Sequence, residues 1–144
     1  MATREYTTHS AEETIDLGRR LATELTPPQV VLLRGELGTG KTTLVKGIAE
    51  GFHAASQDDV TSPTFTLIHE YHGPEVNLFH VDLYRIDTQR EFETLGLDDL
   101  LGDSNVVLIE WGEKFARFER EARHVEIRFR RLSENERRIR VSGL

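Results

Sequence analysis

One octapeptide limits what this chain can fold into more than any other feature. Gly35-Glu36-Leu37-Gly38-Thr39-Gly40-Lys41-Thr42 has the form G-x-x-x-x-G-K-T; the apolar run Val30-Val31-Leu32-Leu33 precedes it and Thr43-Leu44-Val45-Lys46-Gly47-Ile48-Ala49-Glu50 follows. The first run reads as a buried strand and the second as a helix. Strand, glycine-rich loop and helix in that order commit the chain to an α/β layout whose loop wraps an anion. Gly35, Gly38 and Gly40 permit positive φ and let successive N–H groups approach phosphate oxygens that a Cβ would obstruct. Lys41 then reaches the β- and γ-phosphates and Thr42 offers a hydroxyl to magnesium, while the helix start adds unsatisfied N–H donors and the positive end of its dipole. The motif predicts a nucleoside triphosphate site with Mg2+.

The rest of the chain is consistent with one domain over residues 1–144. Ser10-Ala11-Glu12-Glu13 has the form of a capping box and opens a helix to about Leu25, stopping before Pro27-Pro28. The runs from Thr64 to Tyr71 and from Val76 to Val81, joined through His72-Gly73-Pro74-Glu75, read as an antiparallel hairpin. Glu91 to Leu101 reads as a short helix, and Val106-Val107-Leu108-Ile109 as a buried central strand. A second hairpin pairs Val125–Phe129 with Arg138–Val141 through a turn at Ser133-Glu134-Asn135-Glu136. The predicted architecture is a three-layer α/β fold with a mixed central sheet, an inserted antiparallel hairpin and a C-terminal hairpin.

Composition excludes several classes. With no cysteine, the chain has no disulfide, thiolate metal site or thiol nucleophile, and its six histidines match no metal-ligand spacing. The apolar runs are too short to span a bilayer, and the N-terminus lacks the apolar core of a signal peptide, so the expected location is the cytoplasm, with no membrane partner. Charge is divided unevenly: residues 1–113 carry 20 acidic and 8 basic side chains, residues 114–144 carry 5 acidic and 10 basic ones, within a net charge of −7. The basic tail is either a solvated surface or a docking face for an acidic protein or an RNA backbone.

A phosphate-binding loop needs a further acid for the metal, and two strand ends offer one. Asp82 closes Phe79-His80-Val81 and Glu110 closes Val106 to Ile109, the more buried strand; hard magnesium favours such oxygen ligands beside water and phosphate. Ser62-Pro63-Thr64 lies where a segment ordered by the γ-phosphate would lie. No general base or arginine finger stands out; Arg85, by its strand-end position, is the best internal candidate for an arginine acting on the transferred phosphoryl group, the alternative being a surface ion pair.

These motifs in their order, Gly35 to Thr43, then Ser62-Pro63-Thr64-Phe65, then His80-Val81-Asp82-Leu83-Tyr84-Arg85, then Ile109-Glu110-Trp111, resemble the TsaE (YjeE) family, the bacterial ATPases of transfer-RNA threonylcarbamoyladenosine synthesis. The segment Glu13-Thr14-Ile15-Asp16-Leu17-Gly18 is also similar. The resemblance implies a P-loop NTPase-type fold with ATP and Mg2+ as cofactors. It implies a nucleotide-binding loop of Gly35, Glu36, Leu37, Gly38, Thr39, Gly40, Lys41, Thr42 and Thr43 in which Gly38 to Thr43 line the phosphates, and magnesium held by Thr42 and Glu110, with Asp82 near the metal or the attacking water. It further implies nucleotide sensing by Ser62 to Thr64 and a base near Thr14. Partners would be the threonylcarbamoyl transferase TsaD and its companion TsaB, with transfer RNA met indirectly or weakly, and hydrolysis would reset that complex.

A small P-loop kinase is the alternative. Such a kinase needs a lid and several arginines for its phosphoryl acceptor, and the arginines here crowd into the last 31 residues, beyond the apparent nucleotide site. A GTPase switch is weaker: Asp99-Leu100-Leu101-Gly102 fits D-x-x-G but follows no buried strand, and no N-K-x-D motif occurs.

Overall fold

The computed structural model describes residues 3–36, 38–118 and 124–144. Seven strands occur among them: β1 (Thr3–Thr8), β2 (Gln29–Arg34), β3 (Ile68–His72), β4 (Asn77–Asp82), β5 (Asn105–Glu110), β6 (Val125–Arg131) and β7 (Arg137–Ser142). They form one sheet in the order β1-β7-β6-β2-β5-β4-β3. The central pairs β6–β2, β2–β5 and β5–β4 are parallel, and the outer pairs β1–β7, β7–β6 and β4–β3 are antiparallel. The all-apolar segments sit in the middle, where both faces are covered, as their unbroken Val/Leu/Ile runs require.

Helices α1 (Ala11–Ala22) and α2 (Lys41–Gly51) cover one face, packing Leu17, Leu21, Leu44, Val45 and Ile48 on Val31, Leu33, Leu78, Val106 and Leu108. Helix α3 (Gln89–Thr94) and a 3-10 turn over Leu97–Leu100 cover the other, where Val30, Leu32, Val107 and Ile109 meet Phe92, Phe115 and Phe118. Phe92 stacks on Phe115 at 4.4 Å and meets Phe118 edge-on at 5.7 Å. The result is the expected three-layer arrangement.

Two glycines set the spacing between α1 and α2. A Cβ on Gly47 would lie 2.0 Å from the carbonyl oxygen of Ile15, and one on Gly18 would lie 2.5 Å from that of Leu44. The helices touch backbone to backbone, so any side chain at either position must push them apart.

Several expected boundaries move. Thr3-Arg4-Glu5-Tyr6-Thr7-Thr8, unassigned from sequence, is an edge strand paired with β7. Helix α1 ends at Ala22 and α2 begins already at Lys41. The first hairpin strand starts at Ile68 instead of Thr64, because the chain turns tightly from Pro63 to Leu67, whose φ is 72°. The helix expected over 91–101 is split by Gly96 at φ 64° into α3 and the 3-10 turn. At α1 the Ser10 hydroxyl accepts from Glu13 N, but the Glu13 carboxylate caps His9 N, so the two bonds are offset by one residue. The reciprocal capping box occurs at α3 instead, between Thr88 and Glu91.

Candidate functional site

The loop after β2 lies at the carboxyl edge of the sheet's parallel centre, the place where open α/β sheets present ligand-binding crevices. Gly38 and Gly40 hold φ of 76° and 100°, and Gly40 caps α2 in the left-handed conformation. Neither has a neighbour within 4 Å of where a Cβ would be. What demands glycine there is the backbone conformation, which opens the loop toward the cavity. Thr39 turns inward and donates to Glu36 O at 2.7 Å, closing the loop on itself. Leu37 lies outside the described residues.

Alternation along β4 and β5 explains the charged floor of the cavity. Leu78, His80 and Asp82 share one face of β4, while Val106, Leu108 and Glu110 share the same face of β5; Asp82 and Glu110 stand opposite each other in the parallel register. Both carboxylates are buried, 3% and 4% exposed, beside Lys41 at 5%. The Lys41 ammonium donates to Gly35 O and lies 3.6 Å from Glu110 Oε1, with the Trp111 ring centroid 5.2 Å away. His80, wholly buried, bonds Glu110 Oε2 through Nε2 at 2.6 Å. Asp82 accepts from Tyr84 N at 2.9 Å and from the Thr64 hydroxyl at 3.1 Å, and Thr64 is linked to Ser62 Oγ at 2.8 Å.

Two adjoining cavities follow from this arrangement. One, of about 360 Å³, is lined by Gly38, Gly40, Lys41, Thr42, Thr43, Ser62, Thr64, Asp82, Glu110 and Arg137. The other, of about 140 Å³, is bounded by Ser10, Ala11 and Thr14 of the α1 start, by Gly40 and Thr43, and by Glu134, Asn135 and Arg137 of the last hairpin. Thr14 is 2% exposed and held by Thr8 Oγ1 at 2.8 Å.

Burial raises the proton affinity of the Glu110 carboxyl, but the His80 hydrogen bond, the His80 charge and the Lys41 ammonium outweigh it and hold it below its ordinary value of 4.5. Glu110 is therefore ionised at neutral pH, a metal ligand or orienting anion rather than a proton store. Because its folded value is depressed, its contribution to stability is fully present above pH 4.5 and is lost as pH falls through the folded value. We expect the gap in denaturation free energy between the native chain and Glu110→Gln to be constant above about pH 6 and to narrow at lower pH. A gap that widens in acid would contradict the assignment.

The donor set suits magnesium. Thr42, Asp82 and Glu110 supply hard oxygen donors at the mouth of a loop of N–H donors. Among the described residues no group of three or more His, Asp or Glu side chains forms a metal cage. Magnesium does not require one, since it binds through one or two carboxylates together with phosphate and water.

Comparison with known proteins fixes the lineage. The model of the family described as "Threonylcarbamoyl adenosine biosynthesis protein TsaE" matches residues 8–139. The chain belongs to the TsaE family. It is 40% identical over 107 residues to the tRNA threonylcarbamoyladenosine biosynthesis protein TsaE of Treponema pallidum, covering 74% of this chain and 77% of that one. It is 41% identical over 138 residues to the TsaE of Mycobacterium bovis, covering 89% and 79%. Its structure is similar to the crystal structure of Bacillus subtilis YdiB, with a TM-score of 0.74 at 32% identity over 97% of this chain and 84% of that one. The fold is that of a P-loop NTPase, and the family's pathway is threonylcarbamoyladenosine synthesis in transfer RNA.

In this TsaE chain the sequence-selected residues Gly38, Gly40, Lys41, Thr42, Thr43, Ser62, Thr64, Asp82 and Glu110 come together on one cavity, and Thr14 lines the adjoining one. Gly35 meets the cluster only through its carbonyl, and Glu36 is turned into the loop's internal hydrogen bond. Arg85 lies elsewhere, its guanidinium 5.0 Å from the ring centroid of exposed Phe65. Two residues escaped the sequence reading. His80 had a faint signal, since H-x-D in a strand puts both side chains on one face. Arg137 had none, and it corrects the view that the tail arginines lie beyond the site. Among the described residues, it is the single arginine lining these two cavities, where a kinase would need several. No described helix is long and apolar enough to cross a membrane.

Proposed function

We propose that this chain binds ATP with Mg2+ and hydrolyses it slowly, faster when the TsaD–TsaB pair completes the site, so that hydrolysis resets the threonylcarbamoyl transferase complex between cycles in the cytoplasm. The observation that carries this reading is the convergence of Lys41, Thr42, Asp82 and Glu110 on the cavity beneath the loop. The donor set of that cavity matches what phosphoryl transfer requires, which is positioning and charge neutralisation more than covalent chemistry.

Each side chain has a task in that scheme. Backbone N–H groups over residues 38–43, at the start of α2, hold the phosphate oxygens. Lys41 exchanges its Gly35 carbonyl and Glu110 neighbours for the terminal phosphates and neutralises them. Thr42 and Glu110 hold magnesium, which when bound supplies Lewis-acid charge for the leaving phosphate. Asp82 orients the attacking water, and its bond to Thr64 makes the Ser62–Thr64 segment responsive to what occupies the cavity. Glu110, kept ionised, is a poor general base, and Asp82 already accepts two hydrogen bonds, which fits slow turnover by the chain alone.

The test is ATP hydrolysis by the purified chain, alone and then with the TsaB–TsaD pair and transfer RNA. Stimulation of at least about tenfold by the pair is expected, with Thr42→Ala and Glu110→Ala each losing the magnesium dependence while remaining folded. A pair that alters neither affinity nor turnover would remove the proposed role, and phosphate appearing on an acceptor instead of in water would favour a kinase.

A further inference from the structure

Among the described arginines of the last hairpin, Arg137 alone lines the two cavities, and its partners differ from those of Arg128, Arg138 and Arg140. Arg138 pairs with Glu5 at 3.0 Å, Arg140 approaches the same carboxylate at 3.6 Å, and Arg128 pairs with Glu126. Among the described residues no carboxylate lies within ion-pair distance of Arg137. Its partners are backbone carbonyls only: Nη1 faces those of Ser133 at 2.9 Å, Glu134 at 3.1 Å and Glu136 at 3.0 Å, and Nη2 reaches Gly38 O at 3.4 Å. Three acceptors around one nitrogen anchor the guanidinium and leave Nε and part of Nη2 free. The single bond to the phosphate-binding loop is long.

A fixed cation without an anion, in a chain of net charge −7, thus faces a loop built for anions. Its position says more. Arg137 lines both cavities, and the residues those cavities share are Gly40, Thr43 and Arg137. Lys41, Asp82 and Glu110 line only the larger one, while Ser10 and Thr14 line only the smaller. A ligand with a polyphosphate at one end and a nucleoside at the other would cross from cavity to cavity past this guanidinium.

We propose that Arg137 is a phosphate-binding residue that grips the polyphosphate on its nucleoside side, using the free edge of the guanidinium on α- and β-phosphate oxygens. The inference rests on the proposed reading of the loop as an ATP site. Gripping there also ties the β6–β7 turn to occupancy, because Nη2 must trade Gly38 O for a phosphate oxygen while Nη1 keeps the turn carbonyls. Arginine suits the place better than lysine, since a planar fork can serve two oxygens and still hold its anchors.

Calorimetric affinities of Arg137→Met and Arg137→Lys for adenosine, ADP and a non-hydrolysable ATP analogue, each with Mg2+, test this, with Lys41→Ala measured alongside. Arg137→Met should weaken ADP and the ATP analogue by a similar factor, about 10- to 100-fold, the usual worth of hydrogen bonds to a charged group. Adenosine affinity should not change, and Arg137→Lys should fall between. A loss confined to the ATP analogue would put the guanidinium on the γ-phosphate, and an equal loss for adenosine would make it a prop for the turn; either overturns the proposal, as does no loss at all. If Lys41→Ala loses ADP and ATP binding while Arg137→Met does not, this inference fails alone. If neither variant weakens any nucleotide, the ATP site itself is misplaced.

Discussion

With the chain acting as the proposed partner-stimulated ATPase, replacing Lys41 with alanine is expected to lower hydrolysis by about 10²- to 10³-fold, the scale on which loss of one preorganised charge donor acts. The structure gives this lysine no substitute. It is the one lysine lining the larger cavity among the described residues, and at 5% exposure its ammonium is held between Gly35 O and Glu110. The variant should also lose stability, because the buried Glu110 carboxylate would then lack the Lys41 ammonium, and a buried charge stripped of a partner costs more than the pair contributed. Lys41→Arg should not rescue activity, since the bulkier planar head cannot occupy the same space beside Trp111. Hydrolysis within threefold of the native rate in Lys41→Ala would show that the loop acts on something other than a phosphate.

The largest loss of stability is expected at Gly47. An alanine methyl there would lie 2.0 Å from the Ile15 carbonyl oxygen, inside any allowed contact, and the obstruction is helix backbone that cannot rotate away. Helices α1 and α2 would have to separate, uncovering Leu17, Leu21, Leu44 and Ile48 in part. We expect Gly47→Ala to cost about 3 kcal/mol, at the upper end of what overpacking does, and to lower the thermal midpoint by roughly 10 °C. Activity should suffer with it, since α2 carries Thr42 and Thr43 while α1 carries Thr14 across the smaller cavity. A midpoint within 2–3 °C of the native one, on the order of 1 kcal/mol or less, would mean that the two helices are not in backbone contact.

The parts legible in sequence were those whose signals are local. The loop, β2 and α2 are contiguous in the chain, and β5 announces itself as four apolar residues ending in an acid. Strand β1 was not legible, because Thr3 to Thr8 is an edge strand with little apolar alternation and its partner β7 lies at the far end of the chain. Arg137 failed for a similar reason. Ten basic residues in the tail look alike in sequence, and only the parallel pairing of β6 with β2, Val31 to Val125 through Arg34 to Arg128, brings one of them to the loop. His80 fell between: its strand was read, and its face could have been, but the Glu110 that it supports belongs to a neighbour 30 residues away. Long-range pairing, which residue types do not encode one by one, separates the readable half of the site from the other.

The sheet order bears on how the chain is made. Strand β2 leaves the ribosome with neither neighbour yet synthesised: β5 begins about 70 residues after it ends, and β6 about 90. At 5–20 residues per second, this strand, with four apolar residues in six, waits on the order of 5–20 s for company. The phosphate-binding motif therefore emerges early but becomes a site late, and through that interval the nascent strand is a natural target for chaperones that recognise extended apolar segments.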